Sequence, residues 1–341
     1  MRRIALLTPT FSQFSGIDRV VEGMAKRFTA AGDRVTVVCL DGTIEVTGVE
    51  VVKLGMPKSP LMERIYRLFF FFDVAKINRT ARLLREYDIV YSHFYPMNLI
   101  AARAKKHYGR TYWYHNYGIP PRVSFSSFVE QAYIVMLRWL TNRTVRSADR
   151  VVSISRYLAE VLKKETGKDS EVEHVEIDRE RYHQNIDQTK VRAQHGFGDD
   201  PVVLYVGRIS PHKGVHLLVD AFKMLLASMP NAHLVIVGKP TFKNYIDHMK
   251  ATAGDRVHFV GFVPDEELPY YYAAADVYAT ATLWEGYDMP IAEAQACGIP
   301  AVAFDVGPHK EIIDGRGALV PVGDVPALAR ALQQAIGKRK A

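Results

Sequence analysis

Cysteine is scarce in this chain of 341 residues, which contains only Cys39 and Cys297. The two lie far apart in apolar stretches, so we expect reduced core residues rather than a disulfide or a metal pair. Long apolar runs are also missing. No run is long enough to span a bilayer, and the stretch at residues 4–7 is too short for a signal peptide. The sequence therefore predicts a cytoplasmic chain.

Two signatures of nucleotide and metal sites are absent as well. No G-x-G-x-x-G segment is present, which disfavours hydride transfer on a dinucleotide cofactor. There is no convincing Asp-x-Asp metal motif, because the adjacent Asp199 and Asp200 fall in a polar segment and are interpreted as a solvated turn. We accordingly expect neither a cofactor nor a metal ion.

Acidic residues are under-represented in the first half of the chain. Residues 1–170 contain 27 Lys and Arg against 15 Asp and Glu, a net charge of +12, whereas the whole chain carries +7. The basic surface therefore belongs to the N-terminal half.

Short Val/Ile/Leu runs alternate with amphipathic helical stretches, a pattern typical of parallel sheets covered on both faces. An apolar content of 48% is sufficient for two ordinary α/β domains. We predict an α/β chain with Rossmann-like domains at residues 1–177 and 201–341, joined by a polar linker at 178–200. The predicted strands are 4–7, 35–40, 89–92, 111–115 and 151–154, then 202–206, 233–237, 257–260, 277–280, 301–304 and 318–320.

A cationic turn follows the predicted strand at 202–206. It contains Gly207, Arg208, Lys213 and Gly214, and the next helix is predicted to start directly afterwards. A basic turn between the carboxyl end of a parallel strand and a helix N-terminus is a typical phosphate-binding site. A basic turn is more often only solvated, but this setting and the two glycines favour phosphate.

Two glutamates, Glu285 and Glu293, flank the predicted start of a later helix. Gly286 is expected to permit a tight turn, and Pro290 to mark the first helical turn, where proline is tolerated. The N–H groups between them would have no intrahelical acceptor and could donate to hydroxyl or phosphate oxygens. These N–H groups belong to Tyr287, Asp288 and Met289. From the residues alone, Glu293 could equally be a partner of its helix dipole, and Glu285 could be an ordinary acidic residue of the loop.

Together these segments resemble the donor site of the retaining glycosyltransferases of family 4. Members of that family use nucleotide-activated sugars and have the GT-B fold, in which two Rossmann-like domains face each other across a donor and acceptor cleft. The resemblance covers nearly the whole chain and is densest over residues 201–323.

The resemblance implies a role for each residue of the donor site. Arg208 and Lys213, with Gly207 beside them, would bind the donor diphosphate. Glu293 would bind the ribose, and Glu285 would face the transferred sugar. The backbone after Glu285 would hold the sugar hydroxyls and the distal phosphate. The residues concerned are Gly286, Tyr287, Asp288 and Met289.

In the first half, the turn after residues 4–7 resembles the family's glycine-rich loop, with Ser15 where a first glycine is usual and Gly16 retained. Close approach of a phosphate favours a residue without a Cβ, so Gly16 is expected to contact a donor or acceptor phosphate. The alternative is that Gly16 merely opens the helix. His115 ends the strand at 111–115, and the family has a sugar-contacting histidine at the matching strand end.

Residues 61–85 show a helical pattern with four consecutive phenylalanines, Phe69 to Phe72, among basic residues. Successive helix positions point about 100° apart, so the four rings cannot all face one core. A basic, aromatic amphipathic segment is typical of a helix on anionic lipid, with Phe70 and Phe71 as the inserting rings. The segment from Phe125 to Trp139 could extend this surface. A domain helix with solvated arginines is equally compatible.

The resemblance implies an enzyme that moves a hexose, with retention, from a UDP- or GDP-linked donor to a glycan or lipid-linked saccharide. Glu285, His115, Arg208 and Lys213 would be catalytic, and the departing phosphate would help deprotonate the acceptor. We expect a cytoplasmic chain that can lie peripherally at the inner face of the cell membrane, and no nucleic-acid partner. Two alternatives stay open: a GT-B sugar-nucleotide epimerase, and a non-catalytic membrane-associated subunit, which the short end of the chain suggests.

Overall fold

A computed structural model describes residues 1–12, 16–122 and 128–340 of the chain. It contains two compact units, Met1–Val175 and Glu176–Ala341, each built on one parallel sheet. Ser15 and Phe125 lie outside the described residues. No helix in the described ranges has the length and apolar character needed to cross a bilayer.

The first unit has a seven-stranded sheet in the order β3-β2-β1-β4-β5-β6-β7, with every pairing parallel. Its strands are β1 (Arg3–Phe11), β2 (Arg34–Gly42), β3 (Glu50–Lys53), β4 (Ile89–Ser92), β5 (Thr111–Asn116), β6 (Arg150–Ser153) and β7 (Glu171–Val172). Its helices are α1 (Gly16–Ala30), α2 (Pro60–Leu68), α3 (Val74–Leu83), α4 (Met97–Tyr108), α5 (Phe128–Val145) and α6 (Arg156–Thr166). The strand order reverses between β1 and β4.

The second unit has a six-stranded parallel sheet in the order β10-β9-β8-β11-β12-β13. Its strands are β8 (Val202–Val206), β9 (His233–Val237), β10 (Val257–Gly261), β11 (Val277–Thr280), β12 (Ala301–Phe304) and β13 (Ala318–Val320). Its helices are α7 (Thr189–His195), α8 (Val215–Leu226), α9 (Lys243–Ala253), α10 (Leu268–Ala274), α11 (Met289–Ala296), α12 (His309–Ile312) and α13 (Val325–Lys340). Its order reverses between β8 and β11.

Both faces of each sheet are buried, which explains the continuous apolar runs of the strands. In β1, Ile4 and Leu6 belong to one core, whereas Ala5 and Leu7 belong to the core on the opposite face. This alternation follows from the two-residue period of a strand. Cys39 and Cys297 are buried free thiols, as predicted.

Every predicted strand is present, and two strands were missed. β3 and β7 are the edge strands of the first sheet, and each is short and begins with a glutamate. Edge strands need no apolar run on both faces, so they leave a weak signal in the sequence.

The segment 178–200, predicted as a linker, belongs to the second unit instead. It contains α7, and Val191 and Phe197 are buried in the second unit's core. Arg192 forms an ion pair with Asp276 at 2.8 Å. A helix of seven residues is too short to show a clear period in the sequence, which accounts for the difference.

The predicted helix over residues 61–85 is broken into α2 and α3 by a 3₁₀ turn at Phe70–Phe72. Asp73 ends this turn and starts α3, because its carboxylate accepts a hydrogen bond from the backbone N–H of Lys76 at 3.0 Å. As predicted, the four phenylalanines do not share one environment: Phe70 is buried, whereas Phe69 and Phe72 are exposed.

Candidate active site

The polar residues singled out in the second half of the chain follow two strands, β8 and β11. These strands are neighbours at the point where the order of the second sheet reverses. In open parallel sheets, ligands bind outside the carboxyl ends of the strands at such a point. The cationic turn and the glutamate loop therefore leave the sheet at the position that favours a ligand.

The turn after β8 packs directly against the end of β11. Gly214 has a φ of 62°, and a Cβ added to it would lie 1.9 Å from the carbonyl oxygen of Ala281. The carbonyl of His212 in the same turn accepts a hydrogen bond from the backbone N–H of Leu283 at 2.9 Å. Only a glycine permits this approach, which holds the cationic turn beside the loop that contains Glu285.

Lys213 and Glu285 form an ion pair with side chains that are 17% and 13% exposed. The structure thus brings together the two charged residues that the sequence placed in one site. Arg208, on the same turn, is exposed and has no ion-pair partner in the parts of the chain that the structure describes. Its backbone carbonyl accepts a hydrogen bond from the hydroxyl of Tyr205 at 2.9 Å, which anchors the turn to β8.

Glu293 lies on α11 and is more deeply buried than Glu285, with 3% of its surface exposed. Its carboxylate accepts a hydrogen bond from the Tyr272 hydroxyl at 2.6 Å. Burial, together with the nearby charge of Glu293, raises the pKa of Tyr272 well above its ordinary value, so the hydroxyl stays a donor. The two glutamates therefore lie at different depths, as the sequence predicted.

The start of α11 agrees with the predicted first turn. Pro290 lies in that turn, as expected from its missing N–H. The chain bends at Gly286, which does not have a positive φ. Asp288 takes the left-handed conformation, with φ 44° and ψ 71°, and precedes the helix.

Asp288 is held by a histidine that the sequence analysis did not select. The Nε2 atom of His309 lies 3.1 Å from the Asp288 carboxylate, and its Nδ1 atom lies 2.7 Å from the Phe304 carbonyl oxygen. Burial opposes the charged imidazole, but the hydrogen bond and charge of Asp288 and the Phe304 carbonyl outweigh it, so the pKa of His309 is raised.

Two predicted site residues, His115 and Gly16, belong to the first unit. His115 lies near the end of β5, and its Nδ1 atom is 2.7 Å from the Tyr91 hydroxyl. Burial lowers the pKa of His115 to about 3, so its imidazole is neutral. The ring of His93, which the analysis missed, stacks on His115 with centroids 5.3 Å apart. Gly16 is the exposed first residue of α1.

Two of the residues that the sequence analysis missed share one signal, their position. His93 directly follows β4, and His309 closely follows β12. Both therefore lie at the carboxyl edge of a parallel sheet, where polar side chains are candidates for a site. Tyr272 has no such signal, because its role depends on packing between α10 and α11.

Comparison with known proteins matches almost the whole chain to two family models. The model for glycosyltransferase family 4 matches residues 14–176, and the model for glycosyl transferases group 1 matches residues 187–341. Together they span both units of the structure.

Two curated relatives are similar to parts of the chain. A GDP-mannose-dependent alpha-(1-6)-phosphatidylinositol monomannoside mannosyltransferase of Mycolicibacterium smegmatis is 32% identical over 209 residues, 57% of this chain and 55% of that protein. The O-antigen chain mannosyltransferase B of Escherichia coli is 30% identical over 137 residues, 39% of this chain and 36% of that protein. The matched regions thus span about half or less of each relative.

A solved structure, Anabaena HepE in complex with UDP-glucose, has the same fold. The TM-score is 0.82 at 22% identity, over 100% of this chain and 91% of that one. The fold likeness agrees with the two parallel sheets of the structure. The chain belongs to glycosyltransferase family 4 and has the GT-B fold.

Proposed function

We propose that this chain transfers a hexose, with retention of anomeric configuration, from a nucleoside-diphosphate sugar to a hydroxyl group of an acceptor. The observation that carries the proposal is the Lys213–Glu285 pair, with the exposed Arg208 on the same turn, at the reversal of the second sheet. Cations at the end of a parallel strand fit a diphosphate, and an acid beside them fits the hydroxyl groups of a sugar.

In the proposed mechanism, Arg208 and Lys213 stabilise the negative charge that develops on the diphosphate as its bond to the sugar C1 breaks. The ammonium group of Lys213 exchanges part of its contact with Glu285 for a phosphate oxygen, which leaves the carboxylate to accept from a sugar hydroxyl. The departing phosphate oxygen takes the proton of the acceptor hydroxyl. The new bond to C1 then forms on the face that the phosphate leaves.

The remaining residues would bind rather than react. Glu293 accepts hydrogen bonds from the ribose hydroxyls, while Tyr272 holds its carboxylate in place. His115 is proposed, from the family resemblance, as a hydrogen-bonding partner of a sugar hydroxyl. Its low pKa means that it acts as a neutral imidazole. Gly16 is proposed as a phosphate contact on the same ground.

The relatives favour mannose from a guanosine donor. The Mycolicibacterium protein is GDP-mannose-dependent, and the Escherichia coli protein is a mannosyltransferase. The HepE structure contains UDP-glucose, but its likeness to this chain concerns the fold alone. We therefore propose GDP-mannose as the first donor to test and UDP-linked hexoses as the second.

A lipid-linked acceptor is supported by an exposed apolar surface on the first unit, which we call the apolar patch. On one side, the patch consists of Phe69 and Phe72, which are 45% and 73% exposed. On the other side, α5 presents Phe128 and Trp139, which are 84% and 61% exposed. Phe71 from the first segment and Tyr133 from α5 pack against the same small core.

Charge makes an anionic membrane the fitting partner for the apolar patch. The guanidinium of Arg143 lies 5.9 Å from the centre of the Trp139 ring, and the N-terminal half carries the excess of basic residues. Basic residues near an anionic bilayer each contribute about 1 kcal/mol, screened by salt. Phe70, expected from the sequence to insert into lipid, is a core residue instead.

Purified protein incubated with radiolabelled GDP-mannose, UDP-glucose or UDP-N-acetylglucosamine and a lipid extract would test the function. We expect a labelled glycoside from GDP-mannose. Lys213→Ala should reduce its formation at least tenfold, since a charge-assisted contact contributes about 1.5–3 kcal/mol. Lys223→Ala, an exposed change on α8, is the matched control.

Two outcomes would replace the proposal. Consumption of the donor without any glycoside would indicate an epimerase. A folded protein that binds and consumes none of the donors would indicate a non-catalytic subunit. Equal turnover of Lys213→Ala and Lys223→Ala would show that the cationic turn is not the donor site.

Co-sedimentation with liposomes tests the membrane part separately. We expect binding to acidic vesicles, weaker binding to neutral ones, and loss of binding in the double variant Phe69→Ser and Phe72→Ser. Phe242→Ser changes a ring of similar exposure, 44%, on the second unit and should keep full binding. If the unmodified protein stays in the supernatant with acidic vesicles at low salt, the apolar patch is not a membrane surface.

A further inference from the structure

The backbone before α11 has an unusual conformation. Among the residues that the structure describes, Asp288 is the only non-glycine residue with a positive φ, 44°. This left-handed region is strained for residues with a Cβ, although aspartate tolerates it better than most. Strain of this kind persists only where the surroundings hold the residue in place.

Asp288 is held in place by a buried ion pair with His309. Their side chains are 4% and 0% exposed, and the carboxylate lies 3.1 Å from Nε2. The Phe304 carbonyl, 2.7 Å from Nδ1, can only accept a hydrogen bond, so Nδ1 carries a proton. The Asp288 carboxylate lies beside Nε2, and its hydrogen bond and charge favour the protonated form of the ring, so the pKa of His309 is raised against the opposing effect of burial. His309 thus ties the start of α11 to the end of β12.

The Asp288–His309 ion pair lies beside two backbone N–H groups at the start of α11. The N–H groups of Asp288 and Met289 have no hydrogen-bond partner in the described ranges of the chain, and they lie three and four residues after Glu285. We propose that His309 is a positioning residue: by holding Asp288 in the left-handed conformation, it presents these N–H groups to the distal phosphate and sugar of the donor. This inference rests on the proposed function for the identity of the ligand.

A purely structural histidine would behave differently when Asp288 is replaced. Glycine adopts a positive φ without a Cβ penalty, so at position 288 it needs no partner to hold the turn. If His309 acts through Asp288, glycine at 288 should remove most of the need for His309. If His309 only fills the core or holds β12, glycine at 288 should change nothing.

The experiment compares His309→Gln, Asp288→Gly and the double variant, with binding of GDP and UDP measured by calorimetry. We expect His309→Gln to weaken nucleotide binding about tenfold, in line with the usual cost of an unsupported backbone strain. Introducing Asp288→Gly into His309→Gln should restore affinity to within about threefold of the unmodified protein. His248→Gln, an exposed change on α9, controls for the substitution type. A double variant as weak as His309→Gln would overturn the proposal.

A second measurement keeps the test independent of nucleotide binding and of the folding yield. Urea unfolding of the same four proteins gives a coupling free energy, and the proposal requires the two changes to be strongly non-additive. Hydrogen exchange at the first amides of α11 should accelerate in His309→Gln and slow again in the double variant. If the unmodified protein binds neither GDP nor UDP, the proposed donor site is wrong. Additive free energies of unfolding would instead show that His309 does not act through Asp288.

Discussion

At the scale of single residues, the two glutamates are expected to have separable roles. Glu293→Gln should weaken binding of free nucleoside diphosphate, because its ribose contact does not depend on the sugar. Glu285→Gln should leave that affinity nearly unchanged and reduce transfer. Losing a hydrogen bond to a charged group costs about 1.5–3 kcal/mol, so each effect should be about tenfold or more. Calorimetry with the bare nucleotide, together with a transfer assay, checks both.

Tyr272→Phe provides the control for the Glu293 variant. It removes the 2.6 Å hydrogen bond but keeps the carboxylate, so nucleotide binding should fall by less than in Glu293→Gln. A result in which Glu285 alone governs nucleotide affinity would reverse the two roles. The sequence could place both glutamates beside the start of α11 because their spacing from Pro290 is local. It could not identify Tyr272 or His309, whose partners are fixed only by tertiary packing.

At the scale of elements, the contact between the cationic turn and β11 makes Gly214 the residue most sensitive to added volume. Gly214→Ala should destabilise the second unit by well over 1 kcal/mol, since it adds a backbone clash to the usual cost of a left-handed alanine, about 1–2 kcal/mol. Gly196→Ala is the matched control, because Gly196 has a similar φ of 68° with no atom within 4 Å. Urea unfolding compares the two, and equal losses would contradict the close approach.

The elements themselves could largely be predicted from the sequence, because a strand buried on both faces needs an unbroken apolar run. Prediction failed where burial is one-sided or local chemistry intervenes. β3 and β7 lie at sheet edges, and α7 is a single short helix. The aromatic segment looked like one helix, but Asp73 starts a new one in the middle of it.

At the scale of the whole molecule, buried histidines make stability dependent on pH. Burial lowers the pKa of His115 to about 3 and that of His93 well below its ordinary value. On acidification, the unfolded chain therefore binds protons at these histidines that the folded chain does not bind. The stability that these two neutral histidines contribute is therefore complete above about pH 6.5 and is lost progressively as pH falls toward 3. For His115 alone, the loss at pH 5 should reach about 2 kcal/mol.

Hydrogen exchange of the β4 and β5 amides at pH 7 and pH 5, corrected for intrinsic rates, measures this loss. His115→Phe should lose less stability on acidification than the unmodified protein. His107→Phe, a change at an exposed histidine of α4, should not differ from it. An identical pH dependence in all three proteins would show that His115 is not the group that titrates on unfolding.

The two cysteines can report the opening of each unit by thiol labelling. Cys39 lies in the first unit and Cys297 in the second, and burial raises the pKa of each thiol to about 12. Neither thiol can react with a maleimide in the folded protein at neutral pH, because the thiolate is the reactive form. Timed labelling followed by peptide mapping would therefore reveal how often each unit opens, independently of the other. A single cysteine introduced at the surface could be labelled without first removing either native one.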